Sequence, residues 1–576
     1  MYTHSLKQGS LTKLSKRPRT GKYHFLALLI IALAVCLRLL LTALGWPATN
    51  SDEGTIGLMA RHIAYNGEYP VVFYSRNYLG ALEAYLGAAF FRLFGPSLFN
   101  LRLGIILLDA LFFASMYLLT SLLYTKKLAL FVLVLLGLGS SAIFLRELYA
   151  TGGTTQTLLF GTLAFLLASW LTLSYRQDLT SSRRWLRFAA YAGWGLVVGL
   201  AIWSDLVVLP VLMMAGLLLL LFCWRDLRTL APLCLLLGFV IGVFPLIVYN
   251  LQAAPGQDSS SLLAGLFHGG TSINSVHTLP HLIRGIQGTV GISLPTATGD
   301  PFCPVPAVKY ANDASPRSLH CTLLHTGWSA GYLLLWLLSI LLTVRMLWKL
   351  RSRMQAGSPE EGHEVVLHVA RLCLLTSAAV ALTIYTVSSG PQDAPQSHAR
   401  YLIDLLIVTP ALIWPIWRAA TMPAIKEIVQ GRFADSRLAV MFNRGVLLLI
   451  TLLFLLGTIS IAGDLSSSQQ ANQEQDELIA TLERIGATHI YSDFWTCNRI
   501  TFVSQEKIIC GVTDSDLSPT HNYYAPYYTA VHADPHSAYV FPYDIFQKAS
   551  VLHEVERSGH GFRRFVFAGY IIYQPE

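Results

Sequence analysis

Two adjacent carboxylates, Asp52 and Glu53, are the side chains in this sequence whose types and spacing best suit catalysis. They lie just before an amphipathic stretch, Thr55 to Asn66, whose apolar residues recur on one helical face. Ser51 or Asp52 suits the N-cap of such a helix. Because a helix N-terminus stabilises negative charge, both carboxylates should stay ionised and serve as a general base or as metal ligands. The alternative interpretation is an ordinary helix-capping acid pair.

Long apolar stretches surround this acidic pair and must position it. Hydrophobic residues make up 53% of the 576 residues and charged residues only 13%, whereas a soluble globular chain carries about 25% charged residues. Most of the eleven stretches hold the ~20 apolar residues that a transmembrane helix needs. The sequence therefore predicts an all-α polytopic membrane protein with about eleven transmembrane helices. The stretches are Phe25 to Trp46, Leu101 to Tyr124, Leu128 to Leu145, Thr154 to Tyr175, Phe188 to Trp203, Leu206 to Phe222, Leu230 to Tyr249, Trp328 to Trp348, Val366 to Val387, Tyr401 to Trp417 and Val446 to Ile461.

Basic residues in alternate loops predict the orientation of the chain. With residues 1–24 as a cytoplasmic tail, every short loop rich in Lys and Arg falls on the cytoplasmic side, as the positive-inside rule expects. Residues 25–463 then form a transmembrane domain with outer loops 47–100 and 251–327, and residues 464–576 form an extracytoplasmic domain. We expect a multi-pass protein of the cell (plasma) membrane. The net charge of +8 follows from the loop pattern, so no nucleic-acid partner is indicated.

The C-terminal domain has the pattern of a small α/β unit. A polar linker, Ser466 to Glu474, leads into a helix that ends near Gly486, and strand-like segments follow. Its aromatic clusters suit either a surface that stacks on sugar rings or a packed core. The strand-like segments are His489 to Ser492, Lys507 to Cys510, Tyr539 to Phe541, Phe562 to Phe567 and Tyr570 to Tyr573.

Four cysteines lie in the outer segments as two pairs. Cys303 and Cys321 share the second outer loop, and Cys497 and Cys510 share the C-terminal domain. An oxidising space outside the cytoplasm favours two disulfides. The alternative is four free thiols.

Five short motifs, three of them in the first outer loop, carry a family resemblance. They are Ser51-Asp52-Glu53-Gly54, Gly57-Leu58-Met59-Ala60-Arg61-His62, Gly80-Ala81-Leu82-Glu83-Ala84-Tyr85-Leu86, Phe244-Pro245-Leu246-Ile247-Val248-Tyr249-Asn250 and Arg400-Tyr401-Leu402. They resemble motifs of the GT-C membrane glycosyltransferases, which include the dolichyl-phosphate-mannose protein mannosyltransferases and the bacterial aminoarabinose transferases. The branch often labelled RgtA/B/C/D-like is the most similar, and the resemblance spans about Phe25 to Trp417. A second helical stretch, Leu79 to Phe94, follows in this loop. Many relatives carry Lys-Pro or Pro-Pro in the linker before it, whereas this chain has Arg76-Asn77-Tyr78-Leu79-Gly80 there.

The resemblance implies a glycosyltransferase that moves a sugar from a polyprenyl-phosphate donor to an acceptor on the extracytoplasmic face. The acceptor class stays open among a glycan, a lipid and a protein. By carry-over, Asp52 is the general base on the acceptor hydroxyl, and Glu53 orients Asp52 or contacts the acceptor. The alternative is a membrane transporter, or a non-catalytic scaffold that displays a carbohydrate-binding C-terminal domain. Internal repeats, which are common in transporters, are not detected.

The leaving phosphate needs cations or hydrogen-bond donors around it. Arg38 lies inside an apolar stretch, where a charge is costly, so we expect it to face a cavity. Asp109 is its candidate ion-pair partner. The alternative is that the Arg38 side chain extends to the membrane interface. Arg400 and Tyr401 resemble a family position near the donor phosphate, although such a pair also anchors helices at a membrane interface. The predicted set for binding substrate and donor phosphate is Arg38, Arg61, Asn77, Tyr78, Glu83, Arg146, Tyr149, Asn250, Arg400 and Tyr401.

The sequence commits to no cofactor and leaves a divalent metal ion open. Glu83, His268 and His277 are candidates to join Asp52 as metal ligands. No tight histidine spacing such as HExxH occurs, and isolated histidines in polar loops are usually solvated.

Overall fold

Helices of membrane length make up most of the structure, a computed structural model that describes residues 20–74, 76–175, 181–254, 256, 258–259, 261, 279–303, 319–351, 359–421, 433–514, 516–543, 561–567 and 569–576. Within these ranges, ten helices are long and apolar enough to cross a membrane. An eleventh crossing results if the helices Lys126–Gly137 and Ser141–Leu148, bent by 87° at the break between them, form one span. The predicted polytopic helical membrane protein is confirmed.

The membrane part contains eighteen α-helices among the described residues. They are α1 (Thr20–Ala43), α2 (Ser51–Arg61), α3 (Leu82–Phe94), α4 (Leu98–Leu123), α5 (Lys126–Gly137), α6 (Ser141–Leu148), α7 (Thr154–Leu173), α8 (Ser181–Ser204), α9 (Leu209–Cys223), α10 (Ala231–Gln252), α11 (Leu279–Gly288), α12 (Leu294–Thr298), α13 (Leu319–Arg351), α14 (Pro359–Val387), α15 (Gly390–Asp393), α16 (Pro395–His398), α17 (Thr409–Thr421) and α18 (Phe433–Ile485). The short π-helical segments His62–Asn66 and Thr289–Ser293 and the 3-10 segments Leu206–Val208, Trp224–Arg228 and Ala399–Val408 extend or connect them.

A short hairpin precedes α3 and consists of β1 (Val72–Phe73) and β2 (Arg76–Gly80). The indole N–H of Trp203, near the end of α8, donates to the Val71 carbonyl oxygen at 2.8 Å. Gly80 permits the close approach, because a Cβ there would lie 2.6 Å from the Trp203 carbonyl oxygen. The hairpin is therefore fixed against the end of α8.

The last membrane helix, α18, continues without a break into the C-terminal domain over 53 residues. The prediction of a linker over Ser466 to Glu474 is wrong, since these residues lie inside α18. The Gln470 side chain donates to Glu474 at 2.8 Å, and polar pairs four residues apart stabilise a helix. The Asn472 side chain donates to the Gly45 carbonyl oxygen at 2.8 Å, which ties the polar stretch to the chain after α1.

A five-stranded mixed sheet forms the centre of the C-terminal domain and confirms the predicted small α/β unit. The elements after α18 are β3 (His489–Ser492), α19 (Phe494–Val503), β4 (Ile509–Val512), α20 (Ala525–Ala533), β5 (Ala538–Pro542), β6 (Phe562–Phe567) and β7 (Tyr570–Pro575). The strand order is β4-β3-β5-β7-β6. β3 runs parallel to β4 and β5, and β7 runs antiparallel to β5 and β6.

α2 is packed between the membrane helices and the C-terminal domain. Every residue from Ser51 to Ala60 is buried. A Cβ at Gly54 would lie 2.7 Å from the backbone of Asn498, and one at Gly57 would lie 2.5 Å from the Phe502 ring. Gly54 therefore lets the α19 backbone approach α2, and Gly57 leaves room for the Phe502 ring.

Both predicted disulfides are confirmed. The Cα atoms are 5.9 Å apart in the Cys303–Cys321 pair and 5.3 Å apart in the Cys497–Cys510 pair. Since Cys497 lies in α19 and Cys510 in β4, the second disulfide ties the helix that docks on α2 to the sheet behind it.

Gly54→Ala should weaken the packing of α19 on α2. The added methyl group would meet main-chain atoms that no side-chain rotation can move, and overpacking of this kind costs about 1–3 kcal/mol. We expect a lower midpoint of thermal unfolding in detergent. Gly331→Ala is the matched control, because a Cβ at Gly331 meets nothing within 4 Å. An unchanged midpoint for Gly54→Ala would contradict the backbone-distance packing.

Candidate active site

The start of α2 holds the acidic pair at a buried position. Asn50 is the N-cap, and its Oδ1 accepts the Glu53 backbone N–H at 2.8 Å. The prediction of Ser51 or Asp52 as N-cap is wrong: Ser51 Oγ accepts the backbone N–H of Asn498 at 3.2 Å instead. Asp52 therefore lies in the first helical turn, where the helix N-terminus stabilises a negative charge.

Glu53 forms a buried ion pair with Arg102 of α4. Arg102 Nε and Nη2 donate to the two carboxylate oxygens of Glu53 at 2.8 and 2.7 Å. Arg102 Nη2 also donates to the Pro47 carbonyl oxygen at 2.9 Å, and both charged side chains are 0% exposed. A guanidinium and a carboxylate match geometrically in this two-bond arrangement. The pair therefore fixes the first turn of α2 against α4.

Asp52 is buried and lies within electrostatic reach of the Arg400 guanidinium. Arg400 lies in the 3-10 segment before α17, where its Nη2 donates to the Tyr401 hydroxyl at 3.1 Å. The guanidinium also lies 5.1 Å from the centre of the Tyr401 ring. Tyr78 of β2, which follows Asn77 in that strand, acts electrostatically on Arg400 as well. The structure thus brings Asp52, Tyr78, Arg400 and Tyr401 of the predicted set together.

Glu83 lies at the start of α3 and is buried. Its carboxylate oxygens accept the backbone N–H groups of Gly152 and Gly153 at 2.9 and 3.2 Å. Burial raises the pKa of Glu83 to about 7, although the two backbone hydrogen bonds oppose the rise. The negative charges of Glu53 and Asp205 raise this pKa further. Glu83 therefore exchanges its proton near neutral pH.

Asp205 is a carboxylate of this region that the sequence analysis missed. Its Oδ1 accepts the Val207 backbone N–H at 3.0 Å and caps the 3-10 segment after α8. Its charge acts on both Arg400 and Glu83. Gly153 lies so close that a Cβ there would overlap Asp205 Oδ2. In the sequence, Asp205 is a lone aspartate at the break between two apolar stretches, and this position could have identified it as a candidate.

Arg38 is fully buried in α1 and forms its ion pairs within the protein. Its Nε lies 3.5 Å from the carboxylate of Asp109, the partner expected from the sequence, and its Nη2 pairs with Glu147. The guanidinium also lies 4.8 Å from the ring centre of Phe113 and 4.6 Å from that of Phe144. Two carboxylates and two ring faces around one guanidinium favour a structural role for Arg38.

Three further predicted residues form hydrogen bonds to the main chain. Arg146 Nη2 donates at 3.0 Å to the carbonyl oxygen of Gln396, a residue that precedes Arg400 by four positions. The Tyr149 hydroxyl donates at 2.5 Å to the carbonyl oxygen of Ala48, which precedes α2. Asn250 bonds to its own helix and to the loop that follows it, and these contacts do not bring it to Asp52.

Arg61 lies at the other end of α2, where it pairs with Glu506 of the C-terminal domain. Buried His62 has its Nε2 3.1 Å from Glu506 and 3.0 Å from the Tyr527 hydroxyl, and its Nδ1 2.8 Å from the Tyr74 hydroxyl. Burial opposes the ionisation of Glu506, yet hydrogen bonds from His62, Tyr527 and Arg61 lower its pKa to about 2. Arg61 therefore belongs to the junction with the C-terminal domain rather than to the group around Arg400.

A metal centre has no ready-made ligand cluster in the part of the chain that the structure describes. No group of three or more His, Cys, Asp or Glu side chains there is arranged to hold an ion. Glu83 accepts two backbone N–H groups, and the candidate ligands His268 and His277 lie outside the described residues. A divalent metal ion stays a prediction.

The fold is similar to that of solved membrane proteins. ArnT from Cupriavidus metallidurans bound to undecaprenyl phosphate has a TM-score of 0.53 and 12% identity, with 95% of this chain and 97% of that chain covered. ArnT in the apo state has a TM-score of 0.51 at 12% identity over the same shares. The archaeal oligosaccharyltransferase AglB from Archaeoglobus fulgidus was solved in complex with an inhibitory peptide and a dolichol-phosphate. It has a TM-score of 0.45 and 14% identity, with 96% of this chain and 74% of that chain covered. No family model and no curated protein matches the sequence.

Glu53→Gln and Arg102→Gln should each lower the free energy of unfolding by about 3–5 kcal/mol, because each leaves one buried charge without its partner. The double variant should lose less than the sum, since neither charge remains. Thermal unfolding in detergent measures all three. The control is Glu483→Gln, which removes an exposed ion pair: the Glu483 side chain is 40% exposed and that of its partner Lys507 is 69% exposed. This variant should lose at most about 1 kcal/mol of stability. Losses that add fully would contradict direct coupling.

The raised pKa of Glu83 predicts a pH-dependent stability. Between the ordinary pKa of 4.5 and about 7, the unfolded chain releases this proton while the folded chain retains it. Stability should therefore fall as the pH rises through this window, by up to about 3 kcal/mol from this group. Glu83→Gln should flatten the profile of unfolding midpoint against pH, and Glu477→Gln, at an exposed position, should leave it as in the wild type. A wild-type slope in Glu83→Gln would refute the assignment.

Proposed function

We propose that this chain, which has the GT-C fold, is a glycosyltransferase that moves a sugar from a polyprenyl-phosphate donor to an acceptor on the extracytoplasmic face of the membrane. The observation that carries the proposal is the buried Asp52 carboxylate at a helix N-terminus, within electrostatic reach of the Arg400 cation. A base and a cation in one buried region suit a reaction in which one group loses a proton and another leaves as an anion. The solved structure of ArnT bound to undecaprenyl phosphate supports a polyprenyl phosphate as the carrier of the donor sugar.

In the proposed reaction, the acceptor hydroxyl oxygen attacks the anomeric carbon of the donor sugar. The new carbon–oxygen bond forms as the bond between that carbon and the phosphate oxygen breaks, so the sugar carbon is inverted. The hydroxyl proton passes to the Asp52 carboxylate. Polyprenyl phosphate leaves with one more negative charge, which Arg400 stabilises. A positioned base contributes ~10²–10⁴-fold and a preorganised donor at a developing anion ~10²–10³-fold.

Tyr401, Tyr78 and Arg146 are the next candidates to surround the donor phosphate. The Tyr401 hydroxyl accepts a hydrogen bond from Arg400 and so orients the guanidinium. The charge of Arg146 acts on Tyr385, which is within electrostatic reach of Tyr401. This hydrogen bond and these electrostatic interactions support a phosphate site near the ends of α6 and α14 and the segment before α17.

Glu53 is proposed as a positioning residue. Both of its carboxylate oxygens are engaged by Arg102, so it holds the first turn of α2 and thereby places Asp52. This supports the expectation that Glu53 orients Asp52 over the alternative that it contacts the acceptor.

We place the N-terminal tail, residues 1–24, in the cytoplasm and the C-terminal domain, residues 464–576, outside it. Between them, residues 25–463 form the transmembrane domain in the cell (plasma) membrane. The distribution of basic loops supports this orientation. Two disulfides, one in outer loop 251–327 and one in the C-terminal domain, support it independently, because disulfides persist in oxidising spaces.

Asp52→Asn should lose about a hundredfold or more of the sugar-transfer rate, because the amide cannot accept the acceptor proton. The measurement is transfer from a panel of radiolabelled polyprenyl-phosphate sugars by purified protein, and the donor that is used identifies the sugar. Asp393→Asn, which removes an exposed carboxylate from α15, is the matched control and should keep the wild-type rate.

Two other outcomes would count against parts of the proposal. Equal transfer by the wild type and by Asp52→Asn would leave a glycosyltransferase but remove Asp52 as its base. No turnover with any donor or acceptor, from protein with a cooperative unfolding transition, would contradict the activity itself and favour a transporter or a scaffold.

A further inference from the structure

A cavity of about 250 Å³ lies between α8, α9 and α10, away from the group around Asp52. Its walls on α8 are Tyr191 and Trp194, which precede Ser204 by ten or more residues. At 1.5 Å rise per residue, the cavity is therefore roughly 15–20 Å along α8 from the end that approaches Asp205. The cavity is thus separate from the proposed catalytic site.

α8 packs closely on α10 next to this space. A Cβ at Gly195 or Gly199 of α8, or at Gly238 or Gly242 of α10, would overlap main-chain atoms of the other helix. α9 carries Gly216 at the cavity, where a Cβ would remain 3.9 Å from the nearest atom of the Trp194 ring. The space between α9 and the tight helix pair is left to a ligand or to lipid, and its lining is almost entirely apolar.

Two arginines stand at the mouth of the cavity. Arg225 and Arg228 are exposed, and their guanidinium carbons lie 5.5 and 5.6 Å from the ring centre of Trp224, which lines the cavity. Tryptophan and arginine at a helix end are typical of the membrane interface, where lipid phosphates lie. The mouth therefore presents positive charge at the depth of the headgroups.

The one acidic residue in this turn has its charge compensated from within the protein. Asp226 accepts hydrogen bonds from Arg187 at 2.6 Å and from the Tyr191 hydroxyl at 2.8 Å. Its carboxylate is thus neutralised by a buried cation and does not cancel the charges of Arg225 and Arg228. The start of α8 adds two more exposed cations, Arg183 and Arg184.

We propose that this cavity binds an acyl chain of an anionic phospholipid whose phosphate group contacts Arg225 and Arg228. An apolar cavity of about 150 Å³ stays dry and accepts benzene, so the larger cavity here accommodates a segment of an acyl chain. The apolar lining selects the chain, and the basic mouth selects an anionic headgroup over a zwitterionic one. The site would hold a structural lipid at the junction of α8, α9 and α10.

The test uses purified full-length protein in detergent, offered equal amounts of phosphatidylglycerol and phosphatidylcholine with identical acyl chains. Native mass spectrometry counts the lipid that stays bound. Each basic residue near an anionic surface contributes about fivefold, so the two arginines should give about a 25-fold preference for phosphatidylglycerol. Arg225→Gln/Arg228→Gln should lose this preference, whereas Arg345→Gln/Lys349→Gln, which removes two exposed cations from the end of α13, should keep it.

A second pair of variants tests the cavity itself. Gly216→Leu should fill the space and abolish the retention of both lipids, and Gly331→Leu, at a helical glycine with nothing within 4 Å of its Cβ position, should not. Should Gly216→Leu fail to fold, Gly216→Val, which adds a smaller side chain, makes the same test.

Five results would overturn the inference. They are equal retention of the two lipids, a preference that survives removal of both arginines, unchanged lipid retention in Gly216→Leu, displacement of the lipid by glycerol phosphate alone, and stronger retention of undecaprenyl phosphate than of phosphatidylglycerol. None of these measurements depends on sugar transfer, so they stand apart from the outcome for Asp52.

Discussion

The buried ion pair between Glu53 and Arg102 is the constraint on which the position of α2 and of the candidate site depends. Removing a carboxylate from water costs several kcal/mol, and a partner with well-matched hydrogen bonds is needed to offset that cost. Arg102 provides two such bonds from α4. Any displacement of the first turn of α2 would leave a buried charge unpaired, and this cost holds the neighbouring Asp52 at one position relative to the membrane helices.

The same helix carries the C-terminal domain on another face. Gly54 leaves room for the α19 backbone, and Thr55 Oγ1 accepts a hydrogen bond from the Asn498 side chain at 2.9 Å. Just after α2, His62 and Glu506 join the two domains through a partly buried polar network. Since α2 is fixed by the membrane helices on one side and by the C-terminal domain on the other, the position of Asp52 depends on the docking of both.

Local patterns in the sequence were sufficient for the architecture and for part of the candidate site. Apolar stretches of bilayer length and short alternating segments are local properties, so the membrane helices and the strands could be predicted. The stretch Ser466 to Glu474 was misread because a solvated helix with pairs such as Gln470 and Glu474 has the composition of a linker. Arg102 and Asp205 were not predicted as site residues because their partners are distant in the sequence. A single sequence does not show which distant residues come into contact in the fold.

The contrast between the two acidic residues supports the proposal that Asp52, and not Glu53, is the general base. A general base must accept a proton, and Glu53 could do so only by giving up charge-assisted bonds to a fully buried guanidinium. Protonated Glu53 would leave Arg102 as an uncompensated charge, at a cost of the order of 3–5 kcal/mol. Asp52 instead lies within electrostatic reach of Arg400. In the proposed reaction, the leaving phosphate needs the charge of Arg400 more as the proton arrives on Asp52. Proton uptake by Asp52 and departure of the phosphate toward Arg400 would then assist each other, whereas proton uptake by Glu53 would weaken the attachment of α2 to α4.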